Sequence, residues 1–102
     1  MKKNKKPKEL NDSTLSDFFN QLHMFLKSGV PTWEALLLIG DNASVKKSKN
    51  LLLTLHEYAM DGMRLSIALE KAGCFPKYAI GMVAVGEQTG RLEEVCYSLY
   101  KY

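Results

Sequence analysis

The chain has 102 residues, of which 46% are hydrophobic and 25% are charged. This length fits one domain, because two units would each be too small to bury a good core, and the composition excludes a disordered chain of low hydrophobicity. The net charge is +3, but five of the fourteen basic residues precede the first acidic residue, Glu9. The other nine basic residues face eleven acidic ones, so the folded part is mildly acidic, with a net charge of −2.

The N-terminal segment is predicted to be a lysine-rich disordered tail over residues 1–13, followed by a helical domain over residues 14–102. Its basic residues are Lys2, Lys3, Lys5, Lys6 and Lys8. No apolar stretch follows them, so the segment does not resemble a signal peptide. The lysines could attract anionic lipid or phosphate, or serve solubility alone. Cys74 and Cys96 lack the C-x-x-C spacing, which favours reduced thiols.

Apolar residues recur with helical spacing from Leu15 to Leu26, which predicts a first helix. We expect Ser13 or Ser16 to cap its start and Gly29 to end it in a left-handed turn.

Pro31 is suited to begin a second helix, because its missing N–H does little harm there. This helix carries Trp33, Leu36, Leu37 and Gly40 on one side. Ser44 is expected to cap a third helix that ends at Gly62. Its predicted core residues are Leu51, Leu52, Leu55 and Ala59.

Three more helices are predicted in the second half. The fourth is short and ends at Gly73, with Leu65, Ala68, Leu69 and Ala72 facing the core. Pro76 disfavours helical geometry at Phe75, so a fifth helix is expected from about Lys77 to Gln88. A sixth begins at Leu92, with Val95, Cys96 and Leu99 facing inward. No stretch alternates with a period of two, and the prediction is therefore an all-α, six-helix bundle built of short helical hairpins.

An internal similarity supports the hairpins. Gly29 and Gly62 each begin the pattern Gly-x5-Ala-Leu, which ends at Ala35-Leu36 and at Ala68-Leu69. Gly90 likewise has a small residue, Cys96, six positions later. Each instance indicates a helix stop, a turn, and a small residue that lets two helix axes approach closely.

No motif indicates catalysis, a cofactor or a metal site. His23 and His56 lie in different predicted helices, without a His or Cys partner at helical spacing. The glycines Gly86 and Gly90 precede a helix but lack the Lys and Ser/Thr of a phosphate-binding loop, and Glu87 places a negative charge where phosphate would sit. We therefore expect a protein that is not an enzyme.

Glu87 stands near the C-terminal end of the fifth helix, where the helix dipole disfavours an anion. It is expected to bond Arg91 and the free N–H groups at the start of the sixth helix, and so to fix the crossing of those two helices. A direct contact of Glu87 with a partner protein is the alternative.

In the order and spacing of these features, the chain resembles the cytoplasmic F domain of the inner-membrane platform proteins of type II secretion and of type IV pilus or competence-pseudopilus assembly. The family-motif and helix-junction residues are Gly29, Pro31, Ala35, Leu36, Gly62, Leu65, Ala68, Leu69, Phe75, Pro76, Gly86, Glu87, Gly90, Arg91 and Leu92.

The resemblance implies a non-catalytic scaffold at the cytoplasmic face of the bacterial inner membrane, as an excerpt of a longer, membrane-embedded protein. It implies contacts with the assembly ATPase and other inner-membrane assembly proteins, self-association as a dimer, no cofactor and no nucleic acid. The tyrosines and Lys101 at the end of the sixth helix are residue types common at a membrane interface. The alternative is a small helical nucleic-acid-binding module with a basic N-terminal arm, whose only basic cluster beyond the arm is Lys46, Lys47 and Lys49.

Overall fold

The computed structural model describes residues 8–102, and this part of the chain is all-α, without strands. Its helices are α1 Asp12–Lys27, α2 Thr32–Asn42, α3 Lys46–Met60, α4 Leu65–Ala72, α5 Lys77–Thr89 and α6 Leu92–Lys101. The predicted six-helix fold is therefore confirmed. None of these helices combines the length and the apolarity that a membrane span requires.

The helices form a closed ring around one core. Each helix packs against the next along the chain, and α6 packs extensively on α1. Every helix contributes to the largest fully buried side chains, which are Phe19, Leu22, Leu36, Leu55, Leu69, Val83 and Cys96. An aromatic cluster ties α1 to the segment before α5, because the ring of Phe18 lies 4.9 Å from that of Phe19 and 5.4 Å from that of Phe75.

Three turns of one kind make the hairpins α1–α2, α3–α4 and α5–α6. Their glycines have positive φ angles, of 91° at Gly29, 90° at Gly62 and 73° at Gly90. In each turn the N–H after the glycine donates to the carbonyl five residues earlier: Val30 to Phe25 at 3.0 Å, Met63 to Tyr58 at 3.1 Å and Arg91 to Gly86 at 2.8 Å. This left-handed ending satisfies helix carbonyls at a position where a side chain would be strained. The small residues six positions on, Ala35, Ala68 and Cys96, are fully buried.

The start of α1 differs from the prediction. Its cap is Asn11, whose Oδ1 accepts the N–H of Thr14 at 2.8 Å, and not Ser13 or Ser16. Ser16 instead donates its hydroxyl to the carbonyl of Tyr100 in α6, at 3.0 Å. Residues 11–13 thus belong to α1 and its cap, and Leu10 packs against the core. Residues 1–7 of the predicted tail lie outside the described residues.

The expected cap of α3 was wrong, and the buried face of α2 differs from the apolar side identified in the sequence. Ser44 does not cap α3, whose N-cap position is Val45, without a side-chain hydrogen bond. Trp33 is 43% exposed, because the buried face of α2 is formed by Ala35, Leu36 and Ile39. Trp33 lies roughly a third of a turn away from the middle of that face, as the geometry of an α-helix requires.

Candidate functional site

Helix α4 begins without a local cap. Its N-cap residue is Arg64, which has extended backbone angles and a side chain that makes no capping hydrogen bond. The first N–H groups of a helix have no partner within the helix, and leaving them buried and unbonded is costly. Leu65 and Ser66, the first two residues of α4, are buried. Their N–H groups therefore need an acceptor from elsewhere in the fold.

Glu87 of α5 supplies that acceptor. Its Oε2 accepts the N–H of Leu65 at 2.7 Å, and its Oε1 accepts the N–H of Ser66 at 3.2 Å. Both bonds are charge-assisted, and the carboxylate lies at the positive end of the α4 dipole. One side chain thus caps a helix that begins 22 residues before it in the sequence. We call Glu87, Leu65 and Ser66 the α4–α5 junction.

The predicted partners of Glu87 were wrong, although its role in joining helices was anticipated. Arg91 lies on the surface, where its Nη1 pairs with Oε1 of Glu94 at 3.1 Å. Helix α6 has its own acidic residues, Glu93 and Glu94, in its first turn. Consecutive residues of a helix point about 100° apart, so when Gly86 faces α6, Glu87 faces α4.

Gly86 makes the neighbouring close approach, between α5 and α6. A Cβ atom on Gly86 would lie 2.9 Å from Cγ2 of Val95 and 3.1 Å from Cα of Leu92. The helix axes can therefore be this close only without a side chain at that position. Adjacent residues, Gly86 and Glu87, thus place α5 between α6 and α4.

The other predicted motif residues do not converge on this place. Gly29 and Gly62 form the turns described above. Pro31 and Pro76 occupy the N-cap positions of α2 and α5. The remaining ones are core residues: Ala35, Leu36, Ala68, Leu69 and Phe75. The structure brings together only the part of the motif near Glu87, and it distributes the rest over the turns and the core.

Sequence reasoning missed a second helix end that is held from another helix. Nζ of Lys49 in α3 donates to the carbonyls of Gly40 and Asp41, each at 3.2 Å, at the C-terminal end of α2. A cation stabilises this negative end of the helix. At the opposite end of α2, Nδ1–H of His56 donates to the carbonyl of Trp33 at 2.8 Å. No local sequence pattern could have shown these contacts, since the partners are 8 to 23 residues apart.

His23 joins α1 to α6. Its Nδ1 lies 3.2 Å from Oε2 of Glu93 and 3.3 Å from the carbonyl oxygen of the same residue. Its ring packs on Tyr97, with the ring centres 4.9 Å apart. Both histidines therefore lie at helix contacts and make hydrogen bonds between helices.

The cysteines are unsuited to nucleophilic chemistry. Burial, followed by the charge of Glu93, raises the pKa of the Cys96 thiol to about 12. Burial also raises the pKa of the Cys74 thiol, against the opposing effects of a backbone hydrogen bond and of Lys47. Both thiols stay protonated at neutral pH, whereas the nucleophile is the thiolate. Across residues 8–102, no three His, Cys, Asp or Glu side chains are grouped so that they could hold a metal ion.

The polar side chains of this site hold helix ends together. The family model described as "Type II secretion system (T2SS), protein F" matches residues 18–102 of this chain. The chain belongs to this family.

The names of its relatives refer to type II secretion, to type IV pilus assembly and to protein transport. It is 31% identical to the type II secretion system protein F of Xanthomonas campestris, over 93% of this chain and 24% of that protein. It is 27% identical to the type IV pilus assembly protein PilC of Pseudomonas aeruginosa, over 88% of this chain and 24% of that protein. It is 32% identical to the protein transport protein HofC homolog of Haemophilus influenzae, over 89% of this chain and 22% of that protein. The chain thus spans about a quarter of the length of these curated relatives.

Proposed function

We propose that this chain is a non-catalytic scaffold domain of an inner-membrane platform protein in protein secretion or in pilus or pseudopilus assembly. It lies at the cytoplasmic face of the membrane and self-associates, as a dimer. It links the assembly ATPase and other inner-membrane components to the membrane part of the platform. Residues 14–102 form this domain, and the longer protein carries the membrane spans.

The observation that carries this proposal is the use of the motif residues. They form turns, core and the α4–α5 junction, and both carboxylate oxygens of Glu87 accept hydrogen bonds from the N–H groups of buried residues. A residue engaged in this way is not available to a substrate. The motif residues therefore hold the ring of helices together, as a scaffold that transmits contacts requires.

One end of the domain is suited to face a membrane. The ring of Tyr78 at the start of α5 lies 5.3 Å from that of Tyr102, and Nζ of Lys101 lies 5.9 Å above the ring of Tyr97. Tyrosines and lysines are favoured at the level of lipid headgroups. We infer that this tyrosine-rich end points toward the membrane part of the platform.

The alternative, a nucleic-acid-binding module, gains no support. Of its predicted basic cluster of Lys46, Lys47 and Lys49, the last is committed to the C-terminal end of α2. The cluster thus offers no row of free basic residues along one helix face, as phosphate binding would need.

The test uses the full-length platform protein with an affinity tag, purified from detergent-solubilised membranes. We expect the assembly ATPase to copurify with the intact protein and to be lost when residues 14–102 are deleted, while membrane insertion persists. Copurification of the ATPase with the deletion variant would overturn the proposal. Salt-sensitive DNA binding by the chain lacking residues 1–8 would favour the nucleic-acid alternative instead.

A further inference from the structure

An open groove runs along the outer side of α3. It has a volume of about 510 Å³ and lies between α3, the segment that precedes α1, and the end of α4. Its apolar lining residues are Leu10, Val45, Leu51, Ala72 and Cys74. Val45 at one end is 59% exposed, which leaves its side chain accessible to a partner.

The charged residues of this groove are mostly positive. They are Lys8, Lys47 and Lys71, against the single carboxylate of Glu9. This positive charge is a local property of the groove, because residues 8–102 as a whole carry ten Lys and Arg against eleven Asp and Glu. At the far end, Nζ of Lys71 lies 5.5 Å above the ring of Tyr58, which holds the ammonium group at the groove.

The start of α3 adds to this positive field. Its first turn contains no acidic residue, and its N-cap residue, Val45, makes no side-chain hydrogen bond. Lys47 therefore stands at the positive end of a helix dipole, an arrangement that disfavours the helix unless an anion is near. An external negative charge at this end of the groove would therefore be favourable.

We propose that this groove binds an extended segment of a partner protein that has acidic side chains at both ends of a short apolar centre. From Lys47 to Tyr58 the groove follows eleven residues of α3, a length of about 16 Å, which about five residues of extended chain would span. The acidic ends pair with Lys47 and Lys71, and the apolar centre packs on Leu51. The inference rests on the proposed scaffold role and gives the chemistry of one partner.

A peptide fits this groove better than a membrane surface does. Among the lining residues, Leu51 is half-buried and Cys74 is buried, whereas Lys47 and Lys71 are exposed. A flat lipid headgroup layer would reach the lysines but would leave that lining uncovered. A chain with alternating side chains reaches both.

The test measures binding of a fluorescent synthetic peptide, with glutamates at both ends of a leucine and valine centre, to the 102-residue chain. The variant carries Lys47→Glu and Lys71→Glu. The matched control carries Lys77→Glu and Lys101→Glu, which change the net charge equally at exposed sites outside the groove. We expect about tenfold or greater loss of affinity for the variant alone, because two attractions become repulsions. A peptide with lysines in place of glutamates should not bind.

Three results would overturn the inference: equal weakening in both variants, loss of binding when residues 1–7 are deleted, or binding to phosphatidylglycerol vesicles without binding to the peptide. Amide chemical shifts of Leu51 and Cys74 locate the contact, and unchanged melting temperatures exclude misfolding of the variants.

If the peptide does not bind but deletion of residues 14–102 still removes the ATPase, the groove inference fails and the scaffold role stands. If the peptide binds and the ATPase stays with the deletion variant, the scaffold role fails.

Discussion

Removing the carboxylate of Glu87 should destabilise the fold, because this side chain accepts hydrogen bonds from residues 21 and 22 positions earlier in the sequence. Glu87→Ala deletes both acceptors at the α4–α5 junction. It leaves the N–H groups of Leu65 and Ser66, residues that are only 4% and 5% exposed, without a partner. The start of α4 then lacks any cap, because Arg64 does not provide one.

The size of the effect follows from these contacts. A hydrogen bond to a charged group contributes about 1.5–3 kcal/mol, and loss of an N-cap costs about 0.5–2 kcal/mol. Glu87 is half-buried, so water can enter the vacated space and replace part of the loss. We expect Glu87→Ala to lower the free energy of unfolding by about 2 kcal/mol, and the melting temperature by about 10 °C for a domain of this size. Glu87→Gln keeps one neutral acceptor and should cost about half as much.

The assay is urea unfolding followed by circular dichroism, with Glu94→Ala as the matched control. Glu94 is also acidic and adjacent to a turn, but its side chain is 61% exposed and pairs only with Arg91, so its loss should cost less than about 1 kcal/mol. Hydrogen exchange should accelerate first at the amides of Leu65 and Ser66. Equal midpoints for the two variants would refute the assignment of the junction. A strong destabilisation by Arg91→Ala would instead favour the pairing expected from the sequence.

Two further predictions concern the other faces of α5 and α6. Gly86→Ala should destabilise the fold by about 1–3 kcal/mol in the same assay, because its Cβ would lie 2.9 Å from Cγ2 of Val95. Gly81→Ala, which meets no atom within 4 Å, should be neutral or stabilising by up to about 1 kcal/mol; a similar loss in both variants would contradict this account. Because burial, and then Glu93, raises the pKa of Cys96 to about 12 in the folded chain, stability is retained below the ordinary thiol value of 9.0 and should fall as pH rises from there toward 12. The thiol should lower the free energy of unfolding by at most about 1.4 kcal/mol per pH unit in this range. Cys96→Ala should remove this contribution to the pH dependence. The same pH dependence in the variant would show that the thiol does not contribute.

Local sequence signals predicted most of the fold. The left-handed turns at Gly29, Gly62 and Gly90 depend on a few neighbouring residues, and glycine is the residue that such turns favour. The spacing of apolar residues located the helices for the same reason, since a helix repeats over its own few turns. The error at the start of α1, Asn11 in place of Ser13 or Ser16, arose among several neighbouring polar residues, any of which could have served as a cap. At the start of α3 the N-cap position falls one residue after Ser44, on Val45, whose side chain has no capping group.

The contacts that define the candidate site could not be predicted from local sequence signals. Glu87 was identified as a carboxylate in need of donors, because its position near a helix end depends on sequence alone. Its donors lie 21 and 22 residues away, and only the packing of α4 against α5 brings them to it. The same holds for Lys49 at the end of α2, and for the groove along α3, whose lysines come from three separate segments. The sequence by itself determined where the chain turns and which side chains must be buried, because those properties are local. The tertiary structure decided which helix end each charged side chain serves, because that choice depends on the relative positions of whole helices.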